Sequence, residues 1–223
     1  MSKGYDVKVC LDDFRPLTWR GLIIPAGITF KDLDNVMKII WDFTGYHLSW
    51  FTFKDSMDVI TNEFMDIDFN PGELNSKDIV IDEYFDNNKR IYWEYDYGDG
   101  WCVKITVLDK YERKTNADLS NSGMFVVDIM TAKDQLNRFR YFQDGQEVSE
   151  ELREVLAYVD AKEKPRCTAA DGLNVVDDVG GLGGFQEMLS TLEGDDPEEK
   201  ESMREWARGM GWTGRMSKPE NIL

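Results

Sequence analysis

Histidine is almost absent from this 223-residue chain, which holds one, His47. Cysteine is scarce too. Cys10, Cys102 and Cys167 are far apart and odd in number, so neither a disulfide framework nor a paired-cysteine zinc knuckle is encoded. A zinc site with sulfur ligands would have to gather all three cysteines and His47 with no local pair to nucleate it. Basic residues are in deficit, 26 against 43 acidic, for a formal net charge of -17. The average field therefore repels phosphate backbones and anionic lipid, which argues against duplex nucleic acid and favours a basic protein, a cationic ligand or a divalent cation. The same charge serves plain solubility. No run approaches the roughly 18 apolar residues of a membrane helix, and Met1 to Asp6 carry no basic-then-apolar leader. Together with unpaired cysteines, this leads us to expect a cytoplasmic protein that does not enter a membrane.

What is present is enough to fold. Hydrophobic residues make up 42% and aromatics 13%, too apolar for a disordered chain, and a chain of this length buries roughly 70% of its unfolded surface. Tyr5, Val7, Val9 and Leu11 alternate with period two and predict a half-buried strand, and a second strand follows from Thr18 to Ile24. Thr29 with Asp32 three residues on is an N-cap signature, and Phe30, Leu33, Val36, Met37, Ile40 and Trp41 recur at helical spacing until Gly45. His47 to Phe53 is rich in strand formers and predicts a third strand, so the opening order β-β-α-β is that of a β-grasp module. The acidic stretch from Asp55 to Asp78 reads as turns, and Ile79 to Phe85 fits strand or helix.

Arg90 to Tyr97 and Trp101 to Leu108 flank Gly98-Asp99-Gly100, where Asp-Gly supplies the positive φ angles of a tight turn, so an aromatic hairpin is expected. A strand from Met124 to Met130 and a helix capped by Ser149 come next. A glycine-rich loop from Asp171 to Gly184 leads into a short helix, Phe185 to Leu192. Asp196-Pro197 then caps a last helix, Glu198 to Arg208, with Trp206 as its expected anchor. These elements predict an α+β fold with helices on one face of the sheet. Residues 1–193 would form one domain, and 194–223 a helical C-terminal tail packed on it.

Several segments, taken in order, resemble the plasmid pRiA4b ORF-3-like family. They are Val7-Lys8-Val9, Pro16-Leu17-Thr18-Trp19-Arg20, Ile24-Pro25-Ala26 before a helix, Tyr46-His47-Leu48 after it, and Tyr95-Asp96-Tyr97-Gly98-Asp99-Gly100-Trp101. A loop from Cys167 through Asp171-Gly172 to Val176-Asp177-Asp178-Val179-Gly180-Gly181-Leu182-Gly183-Gly184-Phe185 completes the likeness. The resemblance implies an association with plasmids and mobile elements, and no established activity. The chain departs from it where many relatives carry two further histidines, at positions held here by Ser49 and Val103. Where those histidines bind metal or move protons in relatives, that activity would be lost or altered here.

The candidate site gathers His47, Asp96, Asp99, Trp101, Asp177 and Asp178. Clustered carboxylates offer the hard oxygen donors that a divalent cation takes, with Asp96, Asp99 and Asp178 as first candidates for its ligands. Two metal-bridging carboxylates would suit hydrolysis of a phosphodiester or phosphate ester, with Asp96, Asp99, Asp177 and Asp178 as the set that carries it. The structural alternative has Asp96 and Asp99 capping the turn, Asp178 shaping the loop and His47 packed beside Trp50. Tyr92, Trp93, Tyr95, Tyr97 and Trp101 offer rings for base stacking, but only Lys89 and Arg90 adjoin them, and core packing explains them better. With no complete catalytic set in sight, the first expectation is a non-catalytic binding module. A metal-dependent hydrolase and an acidic mimic of nucleic acid that captures a basic protein are the alternatives.

Overall fold

Alternating sequence builds a single eight-stranded sheet. The computed structural model describes residues 3–15, 17–54, 56–62, 73–112, 164–214 and 219. The strands are β1 (Lys3–Leu11), β2 (Trp19–Pro25), β3 (Ser49–Phe53), β4 (Val59–Thr61), β5 (Glu73–Asn75), β6 (Arg90–Tyr95), β7 (Trp101–Glu112) and β8 (Arg166–Asp171). Their order across the sheet is β5-β4-β3-β6-β7-β1-β2-β8. Every neighbouring pair is antiparallel except β4 with β5. The aromatic hairpin forms, with Tyr95 opposite Trp101, but its first strand stops at Tyr95 rather than Tyr97 and its positive φ angles fall on Asp96 and Gly100, not on Asp99.

The opening pairing is not that of a β-grasp, because β3 lies beside β6 and two strands separate it from β1. The long hairpin β6-β7 occupies the place next to β1, and its apolar alternation, longer than that of β3, explains the preference. β3 also begins at Ser49 rather than His47, so the histidine sits in the connection before the strand. The acidic stretch contributes β4 and β5, short pieces that turn signals masked, and β8 emerges from a segment that carried no strand pattern.

One sheet face is mostly apolar, with Arg20 and Ser49 as buried polar exceptions, and the described residues hold four helices: α1 (Phe30–Trp41), α2 (Ile81–Asn87), α3 (Gly181–Glu193) and α4 (Pro197–Gly209). The Thr29 and Asp32 capping box opens α1. Phe30 of α1 meets Phe51 and Phe53 of β3, Phe85 of α2 meets Tyr5 of β1, and Phe185 of α3 meets Trp101 of β7, so all three helices cover the same face. Ile79 to Phe85 thus resolves largely to helix. α3 starts four residues earlier than its apolar pattern suggests, because glycines that read as loop form its first turn.

The C-terminal helix α4 docks through Ala207 and Met203, and Trp212 beyond it donates its indole N–H to the Asn174 carbonyl at 2.8 Å. Trp206 is not the anchor, for it stays 41% exposed. Its neighbour Ala207 takes the inner face of the helix. The expected strand from Met124 to Met130 and the helix after Ser149 lie outside the described residues. No helix among the described residues is long and apolar enough to cross a membrane.

Candidate metal centre

Three chain segments converge at the end of the sheet beyond β3 and β6. The first is the turn after α1, which ends at Asp42 in the left-handed region and runs on through Thr44 to His47. The second is the hairpin turn, tied to the first by the Asp96 N–H, which donates to the Leu48 carbonyl at 2.9 Å, and closed by the Gly100 N–H on the Asp96 carbonyl at 2.7 Å. The third is the loop before α3 that carries Asp177 and Asp178. Asp96 and Asp178 both hold positive φ, 61° and 57°, a region that aspartate tolerates better than most residues because its short side chain bonds locally.

These segments bring His47, Asp96, Asp177 and Asp178 together, with one ligand atom from each lying within 4.8 Å of all the others. His47 Nε2 lies 3.0 Å from Asp178 Oδ1, and His47 Nδ1 lies 3.6 Å from Asp96 Oδ2. The longer gap exceeds a hydrogen bond. The two contacts use opposite ring nitrogens, so only one of them can be a ligand-to-ligand spacing around a single ion, where neighbouring ligands with bonds of about 2.1 Å lie about 3.0–3.4 Å apart.

Each of the two buried carboxylates divides its oxygens between structure and cluster. Asp96 Oδ1 accepts the Gly98 N–H at 2.8 Å, the turn-capping role expected of it, and leaves Oδ2 towards His47. Asp177 is 5% exposed, and its Oδ2 accepts from Thr44 N–H at 2.8 Å, Thr44 Oγ1 at 2.5 Å and Tyr95 Oη at 3.1 Å. Its Oδ1 is buried and accepts nothing among the described residues. A buried carboxylate oxygen with unused lone pairs costs free energy unless a proton or cation meets it. The Tyr95 phenol, held by Asp177 and by the Gly45 N–H at 3.1 Å, is pushed above its ordinary pKa chiefly by burial.

The other sequence candidates have different places. Asp99 is not in the cluster, and its Oδ2 accepts the Gly180 N–H at 3.1 Å, fastening the hairpin turn to the start of α3. A carboxylate there also complements the positive end of the helix. Trp101 is fully buried between Phe43 and Phe185, behind the site. Trp93 and Tyr95 are likewise core rings. Tyr97 alone of the hairpin aromatics considered for stacking is both exposed and stacked, lying 4.1 Å from the Trp50 ring. The cysteines are free thiols outside the cluster.

Ser49 and Val103 are both core positions. Ser49 donates to Asp34 Oδ1 at 2.6 Å and accepts from Asn62 Nδ2 at 2.8 Å, while Val103 faces Trp93 across the ladder. Thr44, the main donor to Asp177, escaped sequence reading because a threonine after a helix end carries no signal of a partner 133 residues away.

The fold and this cluster define an α+β protein with a mixed sheet and a histidine–carboxylate centre at one sheet end. The chain belongs to the plasmid pRiA4b ORF-3-like protein family, whose profile matches residues 3–124 and 110–217. It is similar in fold to a crystallised protein of unknown function from Methanosarcina mazei Go1, at 24% identity and TM-score 0.68, over 100% of this chain and 99% of that one. No curated protein matches it.

Proposed function

We propose that the protein binds one divalent metal ion through His47, Asp96, Asp177 and Asp178. The observation that carries this reading is Asp177 Oδ1, a buried carboxylate oxygen without a donor among the described residues, in a cluster whose four ligand atoms lie within 4.8 Å of one another. The donor set mixes imidazole with carboxylates, which suits Mn²⁺, Fe²⁺ or Zn²⁺ better than the all-oxygen sets of Ca²⁺ and Mg²⁺. Asp178 is half-exposed and His47 less so, so the ion has a solvent side with positions open for water. An ion with such positions acidifies its water and polarises a carbonyl or phosphoryl oxygen, which favours a metal-dependent hydrolase.

Isothermal titration of the metal-stripped chain with Mn²⁺ and Zn²⁺ tests the site. One equivalent bound by the wild type, and none by an Asp177→Asn, Asp178→Asn double variant, is expected. Equal weak uptake by both proteins would mean diffuse charge screening and end the proposal.

A second reading keeps the ion as a staple in a non-catalytic binding module. It draws on the exposed Tyr46 beside His47, the stacked Trp50 and Tyr97, and an acidity suited to a basic protein partner in a plasmid or mobile-element setting. Metal-dependent folding without turnover of any ester would favour it.

A further inference from the structure

We infer that the open positions of the centre take an uncharged carbonyl oxygen, that of a carboxylic ester or amide, and reject phosphate; this rests on the metal-binding reading above. Three carboxylates around a divalent ion leave the loaded centre with a net negative charge. Among the described residues, no lysine or arginine pairs with a cluster carboxylate, and a histidine that ligates a metal is neutral. Lys38 stands 5.7 Å from the Tyr95 ring, but its ammonium belongs to Asp34 at 2.9 Å. The Arg20 guanidinium is fully buried, occupied by the Trp19 and Asp171 carbonyls and Asn174. Phosphoryl transfer relies on arginine, lysine or several metal ions to hold the charged oxygens, and among the described residues no arginine or lysine faces this centre.

A cleft of about 250 Å³ opens beside the same hairpin turn, and none of the four cluster residues lines it. Leu11 and Trp101 at its floor are buried in the core, and Asp12 and Asp13 make it acidic. Asp12 already holds Lys104 at 2.5 Å, so no spare cation serves an anionic ligand there. The carboxylates of the cleft disfavour phosphate there as well.

In hydrolysis at this centre the oxygen of water bonds to the acyl carbon, and the carbon–oxygen or carbon–nitrogen bond breaks. One water proton passes to the leaving alkoxide or amine, and the other stays with the carboxylic acid.

The test uses the full chain loaded with Mn²⁺, with water proton relaxation as the first readout of the bound ion. Failure of Mn²⁺ to bind removes the metal-binding reading itself, before ligand class is in question. Once binding is established, inorganic phosphate should leave the relaxation unchanged. p-Nitrophenyl acetate should be hydrolysed only with metal present, with the rate falling about tenfold or more in Asp178→Asn, the loss expected when a metal-shell carboxylate is removed. p-Nitrophenyl phosphate and bis-p-nitrophenyl phosphate should be inert. Displacement of metal-bound water by phosphate, turnover of either phosphate ester, or no metal-dependent turnover of the acetate ester would each overturn the inference.

Discussion

Asp99 and Gly180 are 81 residues apart, and the carboxylate of the first accepts the backbone N–H of the second at 3.1 Å. The contact is closer still one residue on, where a Cβ added to Gly181 would stand 2.0 Å from the Asp99 carbonyl oxygen. The hairpin turn and the first turn of α3 therefore meet backbone to backbone, and this holds Asp177 and Asp178 against Asp96. Gly181 also has φ 65°, so a side chain there is strained as well as blocked.

Gly181→Ala should cost about 2 kcal/mol or more in urea unfolding, since positive φ and overlap with backbone act together. Gly183→Ala, in the same turn, meets nothing within 4 Å and should be neutral or stabilising by up to about 1 kcal/mol from helix propensity. Equal effects at both positions would mean that the close approach to Asp99 carries no stability.

Metal should raise the thermal midpoint of the wild type, because a ligand of the native state at a hundred times its Kd adds about 2.7 kcal/mol. Asp178→Asn lies at the surface and should shift the metal-free protein by no more than about 0.5 kcal/mol while removing most of the metal-induced rise. Asp99→Ala should keep part of that rise and lose about 1 kcal/mol of metal-free stability with its bond to the Gly180 N–H. Differential scanning fluorimetry with Mn²⁺ and Zn²⁺ reads both effects.

Local signals carried the sequence reading as far as local physics reaches. The Thr29 and Asp32 box and the period of α1 act within a few residues and formed where the pattern put them, whereas the hairpin turn widened to start at Asp96. The placement of β3 beside β6 is a choice between partners far apart in sequence, and a strand pattern alone does not rank them. Four of the six candidate site residues come together because turn-forming aspartates and glycines mark the connections that cluster at a sheet end. What could not be read was the division of labour among them. Asp99 and Asp96 look alike in sequence, yet one ties the hairpin turn to the Gly180 N–H and the other faces His47.

Asp34 shows the same limit inside the core. It is fully buried on α1, accepts from Ser49 Oγ at 2.6 Å and Trp93 Nε1 at 3.0 Å, and pairs with Lys38 at 2.9 Å. Through these bonds α1 is registered on β3 and β6. Asp34→Ala should cost about 3–5 kcal/mol, because it leaves the Lys38 ammonium, a hydroxyl and an indole N–H without their acceptor. Asp34→Asn should cost less, since it keeps an acceptor for Ser49 and Trp93. Guanidinium denaturation of the two variants gives the order, and an equally stable Asp34→Ala would show that the network contributes nothing net.

Alkaline pH should weaken the fold through its buried tyrosines. Tyr84 donates to Asp58 Oδ2 at 3.0 Å, and burial first, with that bond and charge second, pushes its phenol from the ordinary 10.0 up to about 12. Tyr5, donating to Asp82 Oδ1 at 2.8 Å, is shifted upward for the same reasons. A phenol whose pKa is higher folded than unfolded stabilises fully below the unfolded value, where both states are protonated. Above it the unfolded chain ionises first, so that stability drains away as pH rises through the folded value. For Tyr84 the window runs from about 10 to about 12. Tyr84→Phe should therefore flatten the fall in unfolding free energy over that window relative to wild type, while a parallel fall in both proteins would place the alkaline sensitivity elsewhere.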